Sequence, residues 1–251
     1  MTRFSAMLVD LDGTLMVTDT ISQRVQQAIE SVSQRIPVSI ATGRRASDLM
    51  AYARQLGLDA PQICNGGATL LDPRDGKLLW NSHMEAGQAL RIIELLDRKG
   101  INFIGTHPSG DATSMSQISQ WDLTRISAMD IPEQEADEFV SMFGTEDNLH
   151  VVKVYLHYNG WWAVDFTAAG VHKGEAARHL AEIQGMSTRQ FIAAGDSYND
   201  LPMLEVAGFR IAMASAPEEM KHIADFVAPP VEEDGLAVAI EQVILPLLSA
   251  C

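Results

Sequence analysis

Hydrophobic positions along this chain follow two periods that alternate. Near the start, Phe4-Ser5-Ala6-Met7-Leu8-Val9 is a short apolar run that stops at Asp10, and it reads as a buried strand. Beyond it, Ile21, Val25, Ala28, Ile29 and Val32 fall on one helical face, with Thr20 and Gln23 placed for a capping box. A strand at 37–41, a helix at 45–57 ending at Gly57, and a strand at 61–64 follow. Segments 69–71 and 77–80 flank Asp72-Pro73-Arg74-Asp75-Gly76, which predicts a hairpin. The last third alternates again, with a helix over 173–184, strands at 190–194, 209–213 and near 225–228, and a closing helix from Gly235. This alternation predicts an α/β fold, a doubly wound parallel sheet covered by helices on both faces.

The middle of the chain breaks the pattern. Ala89, Leu90, Ile93, Leu95 and Leu96 predict a helix before Gly100, and 101–105 a strand. Residues 106–130 are polar and show no clear period. Phe139, Val140 and Phe143 mark a second helix after Pro132, and 149–158 with 161–166 form a hairpin around Asn159-Gly160. Within that hairpin Trp161 and Trp162 point to opposite faces. The expected organisation is a core of residues 1–82 and 164–251. A smaller α+β insert, 83–163, would form a lid joined to it near 82–84 and 165–169.

Composition removes several classes of function. Hydrophobic residues make up 47% of the chain, enough to bury a full core. The net charge of −15 argues against nucleic acid or an anionic membrane as partner. It also opposes an anionic ligand at long range, so local cations must reverse the field wherever one binds. Cys64 and Cys251 do not suggest a disulfide framework, and a reducing compartment such as the cytoplasm fits. Cys64 reads as a small buried hydrophobe rather than a nucleophile, and the twelve methionines as core filler. The first apolar run is too short for a signal peptide, and no stretch approaches the roughly 20 apolar residues of a membrane helix.

Four segments carry the chemistry. Asp10-Leu11-Asp12-Gly13-Thr14-Leu15 puts two carboxylates at a strand end, where ligands bind in an open α/β sheet. Two acids so close repel each other unless a cation or a shared proton compensates, and Mg²⁺ is a natural compensator. Thr42-Gly43-Arg44 ends a second strand with a hydroxyl, a glycine and a cation. Gly170-Val171-His172-Lys173-Gly174 opens a helix with a lysine, and Gly195-Asp196-Ser197-Tyr198-Asn199-Asp200 ends another strand with acids. Together they supply acids for a metal, and a hydroxyl, an ammonium and free N–H groups for a phosphate.

These four segments, in this order, resemble the motifs of the haloacid dehalogenase superfamily of phosphatases, most closely its Cof-like branch. Asn65-Gly66-Gly67, Met213-Ala214-Ser215-Ala216-Pro217-Glu218-Glu219-Met220-Lys221 and Glu233-Asp234-Gly235 are similar to that branch as well. The resemblance covers 4–82 and 164–245 and implies that the insert is a cap, of the smaller kind found in phosphoglycolate and sucrose-phosphate phosphatases. It implies a Mg²⁺-dependent phosphatase of a small phosphorylated metabolite. Asp10 would be the nucleophile, forming an aspartyl-phosphate, and Asp12 the general acid and base. Mg²⁺ would be held by Asp10, the Asp12 carbonyl and Asp196, with Asp200 as an outer or alternate ligand one helical turn on. Thr42 and Gly43 would donate to the phosphate, Arg44 and Lys173 would neutralise it, and Asn199 would contact it or orient the substrate.

Each segment has a plainer reading. Thr42-Gly43 also suits a helix cap and turn, Asp200 a helix cap, and Lys173 the solvated surface. His172 reads as a structural neighbour of the lysine. Two rival functions share parts of the pattern. A sugar phosphomutase would use the same motifs but release little phosphate. A phospho-aspartate signalling receiver would have no second acid two residues after the first, and needs no lid.

Overall fold

The computed structural model describes residues 4–107, 110–156 and 158–249; Cys251 and His157 lie outside them. Five parallel strands form the main sheet: β1 (Ala6–Val9), β2 (Val38–Ile40), and, after β3 to β10, β11 (Phe191–Gly195), β12 (Phe209–Met213) and β13 (Phe226–Ala228). Their order is β13-β12-β11-β1-β2, so chain order reverses on either side of β1. Such a reversal opens a crevice at the carboxyl ends of the strands. The register Val9↔Ala194 and Val9↔Ile40 brings the ends of β1, β11 and β2 level, which is why their terminal residues meet.

Strands β1 and β11 are buried throughout, as an unbroken apolar run under two helix layers requires. One layer contains α1 (Gln23–Ser33) and α2 (Ala46–Gln55), with Val25, Ala28, Ile29 and Val32 of α1 facing the sheet. The closing helical run over 235–249 joins them through Leu236, Ile240 and Ile244. The other layer contains α5 (Lys173–Gln184) and α6 (Leu201–Val206), with Ala176, Ala177, Leu180, Met203 and Leu204 inward. The expected capping box at Thr20 and Gln23 does not form. Ser22 caps α1 by accepting the Val25 N–H, and its own hydroxyl donates to Asp234, a partner 212 positions away.

A three-stranded antiparallel sheet, β3 (Gln62–Cys64), β4 (Thr69–Leu71) and β5 (Leu78–Asn81), continues the core past β2 through an Ala41↔Ile63 bridge. Cys64 in β3 is fully buried, and burial pushes its thiol up to about 12, so it carries no thiolate at neutral pH. No helix among the described residues is long and apolar enough to cross a membrane.

The second sheet is antiparallel: β6 (Phe103–His107), β7 (Gly110–Ala112), β8 (Arg125–Ile131), β9 (Leu149–Leu156) and β10 (Trp161–Ala168), in the order β7-β6-β8-β10-β9. Helices α3 (Ala86–Lys99) and α4 (Glu133–Phe143) cover one of its faces around Ile92, Ile93, Leu96, Phe139 and Phe166. Phe166 meets Phe143 and Phe139 edge-on at 5.3 and 6.3 Å. The expected boundary at 163/164 and all but the last residue of the expected linker at 165–169 fall inside β10, which pairs with β9 as far as Ala168↔Leu149. The period of β10 ends late because Asp165 and Thr167 are buried polar residues within an otherwise apolar strand. Residues 106–130, featureless in sequence, contain β7 and β8. Trp162 packs against this second core and beneath Lys153, whereas Trp161 is exposed.

Candidate active site

At the end of β1, Asp10 donates its N–H to Ala194 O of β11, and the chain then doubles back as Leu15 and Met16 donate to Leu11 O. Gly13, at φ +84°, makes this turn. It also lets the loop lie against Asp196, since a Cβ there would sit 2.2 Å from Asp196 Oδ2. Asp196 follows β11 directly, and its own loop is held by Asp200. Asp200 Oδ2 accepts the N–H groups of Asp196 and Ser197, each at 3.1 Å.

Lys173 begins α5 and reaches under both loops. His172 caps that helix by accepting the Glu175 N–H on Nδ1, which agrees with a structural role for this residue. Lys173 Nζ donates to Asp10 Oδ1 and to Asp200 Oδ1, both at 2.6 Å, and is wholly buried. Burial opposes its charge, but Asp10 and Asp200 more than reverse this and hold the ammonium well above the ordinary lysine range. Burial drives the Asp10 carboxyl well above the usual carboxylate value, with Asp200 and Asp196 adding to the rise and Lys173 opposing it.

Asp10, Asp196 and Asp200 are buried and offer oxygens that all lie within 4.8 Å of one another. Three carboxylates against one ammonium leave surplus negative charge away from water, which a divalent cation would neutralise. Oxygen-only donors are what a hard cation takes. The donor set therefore fits a divalent metal.

Above this cluster opens a cleft of about 670 Å³ between the two sheets. Asp10, Asp12, Gly43, Arg44 and Asn199 line it from the main domain. Asp12 is half-exposed there, and Arg44 grips it with Nε at 2.9 Å and Nη2 at 2.6 Å. The same guanidinium reaches Asp19 at 2.8 Å. Arg44 thus faces carboxylates of its own chain, where the sequence suggested phosphate. Thr42 is buried behind Gly43, and its Oγ1 accepts the Arg44 N–H at 3.0 Å, which leaves the hydroxyl proton to donate. Asn199 Oδ1 accepts from Ser197 Oγ at 2.6 Å, so its amide N–H₂ is the group presented to a ligand.

Three site residues escaped sequence reasoning: Arg125 and Ser127 on β8, and Asp165 on β10, all buried and all lining the cleft. Arg125 Nη1 donates to Asp165 Oδ2 at 3.3 Å and to the Gly43 carbonyl, while Ser127 Oγ donates to Asp165 Oδ1. The available signal was the alternation of Arg125, Ser127 and Met129 with Ile126 and Ala128. It is weak because the buried partners of the polar members lie 40 and 82 residues away.

The sequence profile of the haloacid dehalogenase-like hydrolases matches residues 7–139 and 133–240 of this chain, and the chain belongs to that family. Hydrolases of this family generally use a divalent metal, in keeping with the buried acid cluster. Within the family it is a Cof-like phosphatase, a phosphoric monoester hydrolase acting on small phosphorylated substrates. A phosphoglycolate phosphatase of Archaeoglobus fulgidus is 29% identical over 238 residues, covering 94% of this chain and 95% of the relative. A pyridoxal phosphate phosphatase of Escherichia coli is 27% identical over 257 residues, covering 91% and 94%. Among solved structures, a haloacid dehalogenase-like hydrolase of B. subtilis superposes with a TM-score of 0.85 at 22% identity, over 96% of this chain and 100% of that one. A subclass IIB sugar phosphatase gives 0.81 at 22% identity, over 97% and 99%. These two structural likenesses bear on the fold alone.

Proposed function

We propose that the chain is a Mg²⁺-dependent phosphatase of a small phosphorylated metabolite, working through an aspartyl-phosphate on Asp10. The observation that carries this reading is the Asp10 carboxylate at the cleft floor, fixed at 2.6 Å by a buried ammonium inside an acid cluster. A carboxylate that is desolvated and oriented is a prepared nucleophile. Asp10 attacks phosphorus, forming an acyl O–P bond as the bond from phosphorus to the alcohol oxygen breaks. Asp12, in the cleft, gives its proton to that departing oxygen, for which it must be in its acid form and released from the Arg44 guanidinium that holds it as a carboxylate at rest. It then takes a proton from the water that attacks the aspartyl-phosphate, returning Asp10 and releasing phosphate.

Thr42 Oγ1, the Gly43 N–H and the Asn199 amide supply donors for the phosphoryl oxygens, and Lys173 keeps Asp10 in line. Mg²⁺ held by the Asp10 and Asp196 carboxylates and the Asp12 carbonyl, with Asp200 beside it, would draw charge from the phosphoryl oxygens. Residues 83–168 would act as the lid that excludes water and chooses the alcohol. The phosphate it would release distinguishes this reading from a phosphomutase.

EDTA is expected to remove turnover and Mg²⁺ to restore it, measured as phosphate release. Ca²⁺ in place of Mg²⁺ should leave at most about a tenth of the rate, because its longer, looser coordination misplaces Asp10. Full turnover after exhaustive chelation would refute the metal role. Asp12→Asn should lower kcat by about 10²–10⁴-fold on an alkyl phosphate, the usual worth of general acid–base help. The loss should be smaller on p-nitrophenyl phosphate, whose leaving oxygen needs less protonation. Equal losses on both esters would argue against Asp12 as the acid.

A further inference from the structure

The cap sheet turns one face to α3 and α4 and the other to the catalytic cleft. On the cleft face, strand alternation places Ile104, Met129, Val154, Leu156 and Ala163 over Asp10. No helix covers them, so this apolar surface is left for the part of the substrate that points away from the phosphate. The charges around it are already spent. Six aspartates and three arginines line the cleft. Arg44 faces Asp12 and Asp19, Arg45 faces Asp48 and Asp111, and Arg125 faces Asp165. Among the described residues every cation lining the cleft thus has a carboxylate of the protein within salt-bridge distance, and the lining remains acidic overall.

An alcohol bearing its own carboxylate would find no unpaired cation here and would be desolvated beside like charge, which disfavours its binding. The size of the cleft agrees. About 670 Å³ suits a ligand of many heavy atoms, whereas a two-carbon acid would leave most of it unfilled.

Resting on the phosphatase reading above, we infer that the cap selects phosphate esters of bulky, largely apolar alcohols that are uncharged or cationic, and rejects esters whose alcohol carries a carboxylate. The Arg125–Asp165 pair on the cap is the charge filter. With both members present their charges offset one another, and with Asp165 neutralised Arg125 would keep its charge with no carboxylate beside it.

Three esters of nearly equal leaving-group chemistry test this: benzyl phosphate, 4-carboxybenzyl phosphate and 4-(aminomethyl)benzyl phosphate, with the Mg²⁺-loaded protein. The carboxybenzyl ester should show kcat/KM at least about tenfold below benzyl phosphate, the size expected of a like-charge penalty. The aminomethyl ester should equal or exceed it. Asp165→Asn should raise the ratio of carboxybenzyl to benzyl kcat/KM, as should Asp111→Asn, which removes one of the two carboxylates facing Arg45 without touching the buried pair. Equal kcat/KM for the carboxybenzyl and benzyl esters overturns the inference and leaves the phosphatase reading standing. Hydrolysis of none of the three, nor of p-nitrophenyl phosphate, overturns that reading and the inference with it.

Discussion

Asp10→Asn is expected to lower phosphate release by at least about 10⁴-fold, the scale on which nucleophile removal acts in covalent catalysis, while the fold is kept. The amide has the shape of the carboxyl and can still accept from Lys173, but it cannot attack phosphorus. A second, opposite effect should accompany the loss. Burial, then Asp200 and Asp196, raise the folded-state pKa of Asp10 well above its ordinary 3.8. A raised pKa means that the folded state holds this proton more tightly than the unfolded chain does. The contribution to stability is therefore full below the ordinary value and is lost as pH rises through the folded one. An amide has no proton to lose. Without metal, Asp10→Asn should melt higher than the parent at pH 7, and the gap should close toward pH 4. Thermal melts in EDTA at the two pH values, beside a phosphate-release assay, check both halves. Substantial hydrolysis by the purified variant would sink the covalent mechanism.

Lys173→Met should cost roughly 3–5 kcal/mol of stability, the usual penalty for removing one partner of a buried ion pair. The methionine fills most of the space, so the loss comes from charge: three buried carboxylates remain without a cation. Added Mg²⁺ should recover part of it, because a divalent ion supplies the missing charge. Activity should fall as well, since Asp10 loses the donor that aims it. Urea unfolding with and without Mg²⁺ measures the effect. A loss below about 1 kcal/mol, typical of an exposed pair, would show that water reaches the cluster.

What could be read from the sequence is set by how locally each feature is determined. Strands β1 and β11 are legible because both faces are buried, so apolar residues run on unbroken until Asp10 and Asp196 mark the ends. Placing Lys173 at the start of a helix is equally local, but its burial between Asp10 and Asp200 depends on contacts 163 and 27 residues away. Strand β8 was invisible because its polar residues face a cleft rather than solvent, and their partners belong to other elements. Arg44 follows a strand end and reads as a phosphate ligand, yet Asp12 lies 32 residues back and takes its guanidinium. The capping box failed for the same kind of reason, since Asp234 comes from the far end of the chain and engages Ser22.

The contact between Arg125 and the loop after β2 ends on a peptide carbonyl, that of Gly43. No side-chain replacement on the main domain can delete that acceptor. Even Gly43→Ala would place its Cβ 3.6 Å from Arg125 Nη1, an ordinary van der Waals separation. This contact between the antiparallel sheet and the main sheet's loops is therefore specified from one side only, whereas the Arg45–Asp111 ion pair nearby needs a residue from each side. A cap that keeps an arginine at this position carries its half of the contact with it, and any core with the same loop geometry provides the other half. Exchange of this part between chains by recombination would need no co-adapted change at the Arg125 contact itself. A chimera bearing this cap on a relative's core is expected to retain the contact.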